Sequence, residues 1–278
     1  MTAMPELPEV QTIADALAPL IVGQAITAVS VLWAGVVDRP EPALFVDALC
    51  GRRILEVGRR GKYLLFRLDD DRWLVMHLRM TGEMRVVPMS DPLDRHDHLV
   101  FRLEDGQEWR FRDQRKFGRA YLVDDPAQIV GRLGPEPLSP AFTASHLAVV
   151  LAGRRAPIKS LLLDQRIVAG IGNIYADESL YRARIHPLIE GGALDEAQRE
   201  ALVGAVRTVI QEALLEMGTT LRDYRRPDGS LGNFQNRLQV FRRTDEPCPS
   251  CGAPIRRIVV GGRSTHFCPV EQVRRHDG

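Results

Sequence analysis

Three cysteines near the C-terminus, Cys248, Cys251 and Cys268, carry the plainest chemical spacing in the chain. Cys248-x2-Cys251, sixteen residues and then Cys268 fit the first three positions of a four-ligand zinc pattern. The place of a fourth cysteine holds Glu271. A carboxylate can bind zinc, and His266 and His276 are the other nearby donors. The competing reading is a metal-free hairpin held by apolar packing. Between the cysteines, Arg256–Val260 and Arg263–Phe267 are strand-like, and Gly261-Gly262 is a two-residue hairpin signal. The segment is therefore predicted to be a zinc ribbon with Arg263 at its tip. The fourth thiol, Cys50, stands beside Leu49 in an apolar stretch and is expected to be a core side chain.

A second group lies in Asp164-Gln165-Arg166-Ile167-Val168-Ala169-Gly170-Ile171-Gly172-Asn173. Glycines just ahead of a helix leave backbone amides open to a phosphate. By residues alone this is merely a corner between two helices, which is structural in most proteins. Pro5-Glu6 reads as a helix start, and Lys62 as a solvated lysine.

The elements that must position these residues change character along the chain. Pro8–Ile21 places Val10, Ile13, Ala14, Leu17 and Ile21 at a helical period. Ala25–Leu32, Arg53–Val57, Tyr63–Leu68, Trp73–His77, Gly82–Val87, Leu99–Leu103 and Glu108–Arg112 are short and separated by turns such as Asp69-Asp70-Asp71. Many strands without intervening helices predict an antiparallel sandwich or barrel. Gly134-Pro135-Glu136-Pro137-Leu138-Ser139-Pro140 is a natural boundary. Beyond it Thr143–Gly153, Ile158–Asp164, Asn173–Ala183 and Leu194–Met217 read as helices, the last stopping at Gly218.

The formal charge is only +1, but it is unevenly spread. Five basic residues and one acid lie between Arg52 and Lys62, and eleven arginines against six acids follow from Arg222 onward. Local basic surfaces on a near-neutral chain suit a polyanion partner. No apolar run is long enough for a membrane span and the N-terminus has no signal-peptide pattern, so the expected location is the cytoplasm.

Several segments together resemble the formamidopyrimidine-DNA glycosylase and endonuclease VIII family. Residues 164–178 look like its helix–two-turn–helix signature, and Pro5-Glu6-Leu7-Pro8-Glu9-Val10 resembles its N-terminal catalytic motif. Arg59-Arg60-Gly61-Lys62-Tyr63-Leu64 is similar to its lysine loop. His77-Leu78-Arg79-Met80-Thr81-Gly82 and Arg115-Lys116-Phe117-Gly118 resemble its intercalating strand and companion turn. The likeness implies an α+β fold: an antiparallel β-sandwich with a leading helix, then a helix–two-turn–helix unit with a C-terminal zinc-ribbon hairpin. It also implies catalytic roles for Pro5, Glu6, Lys62 and Arg263, and DNA contacts at Met80, His96, Arg115, Phe117, Arg154 and Asn173. Metal would lie at Cys248, Cys251, Cys268 and Glu271, as one structural zinc ion.

On this reading residues 1–134 form the catalytic sandwich, 135–240 the helical unit with a lesion-capping loop, and 241–278 the finger. The partner is double-stranded DNA carrying oxidised bases or abasic sites, with no membrane and a monomeric protein. The loop Gly218-Thr219-Thr220-Leu221-Arg222-Asp223-Tyr224, continued by Pro227–Gln235, resembles that of the oxidised-purine branch. The implied activity is removal of 8-oxoguanine and formamidopyrimidines, then β,δ-elimination through a Schiff base on the Pro5 amine. An oxidised-pyrimidine glycosylase of the endonuclease VIII type is the alternative. Met1-Thr2-Ala3 departs from the family, whose proline follows the initiator methionine. Met4 is therefore expected to be the working start; a chain in which Pro5 stays blocked would be a non-catalytic damaged-DNA binder. A zinc-ribbon regulator that reads sequence is disfavoured, because no major-groove reading helix is evident.

Overall fold

The structure, a computed structural model, describes residues 4–219 and 232–274. Most of the expected lesion-capping loop, and His276, lie outside the described residues. The chain divides into two compact units. The first takes the described residues to Arg132 and returns for Met217–Thr219 and Gly232–Asn233; the second takes Leu133–Glu216 and everything from Phe234.

In the first unit, α1 (Leu7–Ile21) leads into β1 (Ile26–Val31), β2 (Val37–Arg39), α2 (Pro42–Leu49), β3 (Ile54–Arg60), β4 (Tyr63–Leu68) and β5 (Trp73–His77). Then follow β6 (Gly82–Pro88), β7 (Asp97–Leu103), β8 (Gln107–Asp113), β9 (Arg119–Val123) and the one-turn α3 (Ala127–Val130). One sheet has the order β1-β7-β8-β6 and the other β2-β9-β5-β4-β3. All pairings are antiparallel except β2 with β9. Alternating residues fill one core between the sheets. Phe66 of β4 meets Trp109 of β8 with ring centroids 4.6 Å apart, and Phe101 of β7 stacks on Trp109 at 4.4 Å. The apolar face of α1 joins this core through Val10, Ile13, Ala14, Leu17 and Ile21.

Two sequence expectations need correcting here. Residues 42–49, given no element by the sequence, are a helix between strands read as having none, and β2 and β9 were not anticipated. Cys50 is half-buried at the end of α2, packed against the core and not enclosed by it.

The second unit contains α4 (Ala144–Leu151), α5 (Ile158–Leu162), α6 (Asn173–Arg182), α7 (Glu196–Leu215) and the hairpin β10 (Arg256–Val260) and β11 (Arg263–Phe267). Thr143 caps α4 by accepting the His146 N–H, and Asp195 caps α7 by accepting that of Gln198. The hairpin turn needs two left-handed residues, and Gly261 and Gly262 supply them with φ of 54° and 74°. Among the described residues no helix is long and apolar enough to cross a membrane.

Candidate nucleic-acid interface and metal centre

Pro5 and Glu6 precede α1 and are buried, Glu6 to 2% exposure. The Glu6 N–H donates to Glu9 Oε2 at 2.9 Å, while Glu9 Oε1 accepts the Thr219 N–H at 2.7 Å. Glu9 therefore fastens the start of α1 to the backbone just beyond α7. Gly218 allows that approach: a Cβ there would stand 2.9 Å from Glu9 Oε1, and its φ is +82°. Sequence reading left Glu9 without a role, since an acid in a helix's first turn is commonplace.

Lys62 sits in the turn between β3 and β4 and is 5% exposed, so it is no solvated surface lysine. His77, at the end of β5, packs edge-on against Tyr63 with centroids 4.5 Å apart, and its Nδ1 accepts the Arg79 N–H at 2.9 Å. Burial, reinforced by the positive charges of Arg79 and Lys62, pushes the His77 imidazole down to about 3. Above the unfolded value near 6.5 neither state holds the extra proton. Below it the unfolded chain takes up a proton that the fold refuses, so stability is lost as pH falls from about 6.5 toward 3. The expected loss is about 1.4 kcal/mol per pH unit from this residue. Denaturant titrations at successive pH values should give a slope shallower by that amount for His77→Gln; an unchanged slope would exclude the assignment.

Met80, Arg115 and Phe117 come together at one place on the sandwich. Arg115 Nη1 donates to Met80 Sδ at 3.1 Å, and its guanidinium lies 4.7 Å from the Phe117 ring centroid. Phe117 is 45% exposed, and Met80 is only partly covered. An aromatic ring left that open is not a core side chain. Arg79 and Lys116, one in each loop, adopt left-handed backbone with φ of 56° and 59°. His96 is half-buried nearby in sequence to β7; its N–H donates to Asp94 Oδ1 at 2.8 Å and its carbonyl accepts the Asp113 N–H at 2.9 Å.

In the second unit, Gln165 shapes the reversal before α6. Its Oε1 accepts the Gly170 N–H at 2.9 Å, and its Nε2 donates to Ile171 O at 2.8 Å. Asn173 opens α6, and its Nδ2 donates to Ser264 O of β11 at 2.9 Å. Lys159 and Asp177, both fully buried, form an ion pair beneath it. Lys159 Nζ also donates to Asn173 O at 3.0 Å, and Asp177 Oδ2 accepts the His266 backbone N–H at 3.0 Å and meets His266 Nδ1 at 3.2 Å. The result ties α5, α6 and β11 into one block, with Arg263 exposed at the hairpin tip. Arg154 follows α4, also exposed, its Nε on Val150 O at 2.9 Å.

The Sγ atoms of Cys248, Cys251 and Cys268 all lie within 4.8 Å of one another, with Cys251 and Cys268 at 3.5 Å. Thiolates 2.3 Å from a tetrahedral zinc ion are separated by about 3.8 Å, so the three fit that ion. The Glu271 carboxylate is not in this group; its Oε2 is 3.3 Å from Arg184 Nε. His266, the other donor considered, has its Nδ1 against Asp177.

Three family models match in order. The formamidopyrimidine-DNA glycosylase N-terminal domain matches residues 4–120, its H2TH domain 133–225, and the zinc finger found in FPG and IleRS 245–270. The formamidopyrimidine-DNA glycosylase of Symbiobacterium thermophilum is 49% identical over 270 residues, covering 96% of this chain and 88% of the relative. That of Herpetosiphon aurantiacus is 48% identical, covering 97% and 100%. Among solved structures, a complex of Lactococcus lactis Fpg with abasic-site DNA has a TM-score of 0.91 at 37% identity, covering 97% and 100%. The MUTM (FPG) protein of Thermus thermophilus gives 0.87 at 45%, covering 96% and 98%. Sandwich, helix–two-turn–helix and cysteine finger thus define a protein of the DNA-glycosylase class. The chain belongs to the formamidopyrimidine-DNA glycosylase family.

Proposed function

We propose that the protein removes oxidised purines, 8-oxoguanine and formamidopyrimidines, from double-stranded DNA and cleaves the abasic site that results. The observation that carries this reading is the exposed Met80–Arg115–Phe117 cluster on a chain alike over 97% of its length to FPG bound to damaged DNA. An enzyme that works on a base must take it out of the stack and fill the space left behind. Met80 and Phe117 are the apolar wedges, and Arg115 hydrogen-bonds the orphaned partner base.

The Pro5 nitrogen, freed of the residues before it, attacks C1′ as the glycosidic bond breaks and the base leaves. Glu6 transfers the accompanying protons as general acid and base. The iminium that forms acidifies the C2′ proton, whose removal expels the 3′ phosphate; a second elimination expels the 5′ phosphate. Lys62 sits by the lesion and assists the first elimination. Arg263 and Asn173 hold the flanking phosphates, with Arg263 aiding the second elimination, and His96 and Arg154 add DNA contacts. Zinc is structural here, held by Cys248, Cys251 and Cys268 beside the hairpin that carries Arg263. Glu271 would have to leave Arg184 to be the fourth ligand, and X-ray absorption of the zinc-loaded chain decides, three sulfurs and one oxygen keeping that place open to it and a nitrogen as fourth ligand excluding it. The protein works as a monomer in the cytoplasm, on chromosomal DNA.

Duplexes carrying 8-oxoguanine, a formamidopyrimidine or thymine glycol test the substrate. The purine lesions should be released at least about tenfold faster, a discrimination of roughly 1.4 kcal/mol in the transition state. Faster release of thymine glycol would instead mark an oxidised-pyrimidine enzyme. Tight binding of all three without any release would mark a damage-recognition protein.

A further inference from the structure

We infer that Asp113 is the positioning residue that assembles the wedge, holding its two loops in register through one buried carboxyl group. Asp113 ends β8 opposite Gly82 of β6 and is fully buried. Its Oδ2 accepts the N–H groups of Phe117 at 2.8 Å and Gly118 at 2.7 Å. Its Oδ1 accepts the Arg115 N–H at 3.1 Å and the hydroxyl of Thr81, the residue after Met80. Thr81 Oγ1 in turn accepts the Arg115 N–H at 3.2 Å. Each carboxyl oxygen therefore serves two donors, and between them they reach both loops that carry Met80, Arg115 and Phe117.

The hub is itself immobilised. The Asp113 N–H donates to His96 O at 2.9 Å, and its carbonyl lies 2.7 Å from His98 Nε2. The turn must also press close to the core: a Cβ at Gly118 would meet the Phe111 ring at 2.3 Å and Asp113 Oδ2 at 3.3 Å. Lys116 is held left-handed at the centre of this turn, a conformation that persists only where its surroundings impose it. Four donors converging on one acid supply that constraint. In asparagine one of the two oxygens becomes an NH2, which the Thr81 hydroxyl can accept from but a backbone N–H cannot, so at least one N–H loses its acceptor on Asp113 while the shape is kept.

The inference rests on the wedge reading, and one experiment separates their failures. The full chain is mixed with an 8-oxoguanine duplex bearing 2-aminopurine beside the opposite cytosine, whose fluorescence rises when the wedge unstacks it. Excision of 8-oxoguanine and cleavage of a preformed abasic site are measured in parallel. For Asp113→Asn the fluorescence rise should slow about tenfold, and excision should fall about tenfold relative to abasic-site cleavage, as for lost hydrogen bonds to a charged acceptor. Thr81→Val, which removes one tie, should move both readouts in the same direction by about threefold. A chain with Met80, Arg115 and Phe117 all changed to alanine should lose the fluorescence rise. If that triple variant keeps it, the wedge reading fails and the inference with it. If the triple variant loses it while Asp113→Asn and Thr81→Val behave as wild type, the role of Asp113 is overturned and the wedge stands. An equal fall in excision and abasic-site cleavage would make Asp113 merely structural and also overturn the inference. Should Asp113→Asn not fold, Thr81→Val decides: a wild-type response refutes.

Discussion

A chain that keeps Thr2-Ala3-Met4 ahead of Pro5 will form no covalent adduct with abasic DNA under sodium borohydride, while a chain begun at Met4 and trimmed of that methionine will. The difference lies in one nitrogen. Inside the chain the Pro5 nitrogen is an amide, its lone pair delocalised into the carbonyl of Met4, and it cannot attack a sugar carbon. At a terminus the same nitrogen is a secondary amine with its lone pair free, and an α-amino group carries a larger unprotonated fraction near neutral pH than a lysine side chain. Loss of a covalent nucleophile lowers turnover by at least about 1000-fold in comparable cases. The family match begins at residue 4, in register with a working start at Met4. DNA binding provides the control: the residues proposed as wedge and phosphate contacts are far from the change in sequence, so the blocked chain should still retain lesion-containing duplex. Mass spectrometry fixes the terminus of each preparation. A trapped adduct on protein with Thr2-Ala3-Met4 intact would rule out the Pro5 mechanism.

The parts of this fold that local chemistry dictates were visible in the residues. The bounds of β4, β5, β10 and β11 follow from β-branched and aromatic runs stopped by acidic or glycine turns. α2 escaped because its eight residues, Pro42 to Leu49, give barely two turns, too short for an apolar period to declare itself. β2 is three residues long and pairs with β9, more than 80 positions away, so nothing near either one marks it. The site divides the same way. The cysteine spacing was legible because metal geometry fixes it locally. Arg184 beside Glu271 was not, since it arrives from a distant part of the chain.

Asp113 shows the limit most sharply. In sequence it is an acid before Gln-Arg-Lys-Phe-Gly, which reads as a turn opener, and an Asp there does favour capping nearby N–H groups. That signal was available, but only burial reveals that the same carboxyl also reaches Thr81 across two strands. Met80 and Phe117 invert the usual inference. Their residue types suggest core, and only their exposure says that something else must cover them. Resemblance supplied these positions, whereas composition and period pointed the other way.

Removing Asp177 should cost the second unit about 3–5 kcal/mol, the range for breaking a buried ion pair from one side. Asp177→Ala leaves the Lys159 ammonium fully buried with its charge uncompensated by Asp177 and its hydrogen bond to Asn173 O in place, and strips His266 of the acceptor for both its backbone N–H and its ring. For a protein of this size that corresponds to a fall in melting temperature of roughly 10 °C. Replacing both partners, Lys159→Met with Asp177→Ala, removes the stranded charge and should recover much of the loss, because the penalty belongs to the unpaired ion and not to the absence of the pair. The functional consequence follows from what the pair holds. With the Asp177 ties from α6 to β11 gone and the Asn173–Ser264 bond left, Arg263 and Asn173 are held less firmly to one another, so the double variant should regain stability without regaining full affinity for abasic duplex. Thermal melts of the two single variants and the double variant, with binding measured at fixed salt, separate these effects. A loss below about 1 kcal/mol for Asp177→Ala, or full affinity in the destabilised chain, would show that the buried pair does not organise the hairpin.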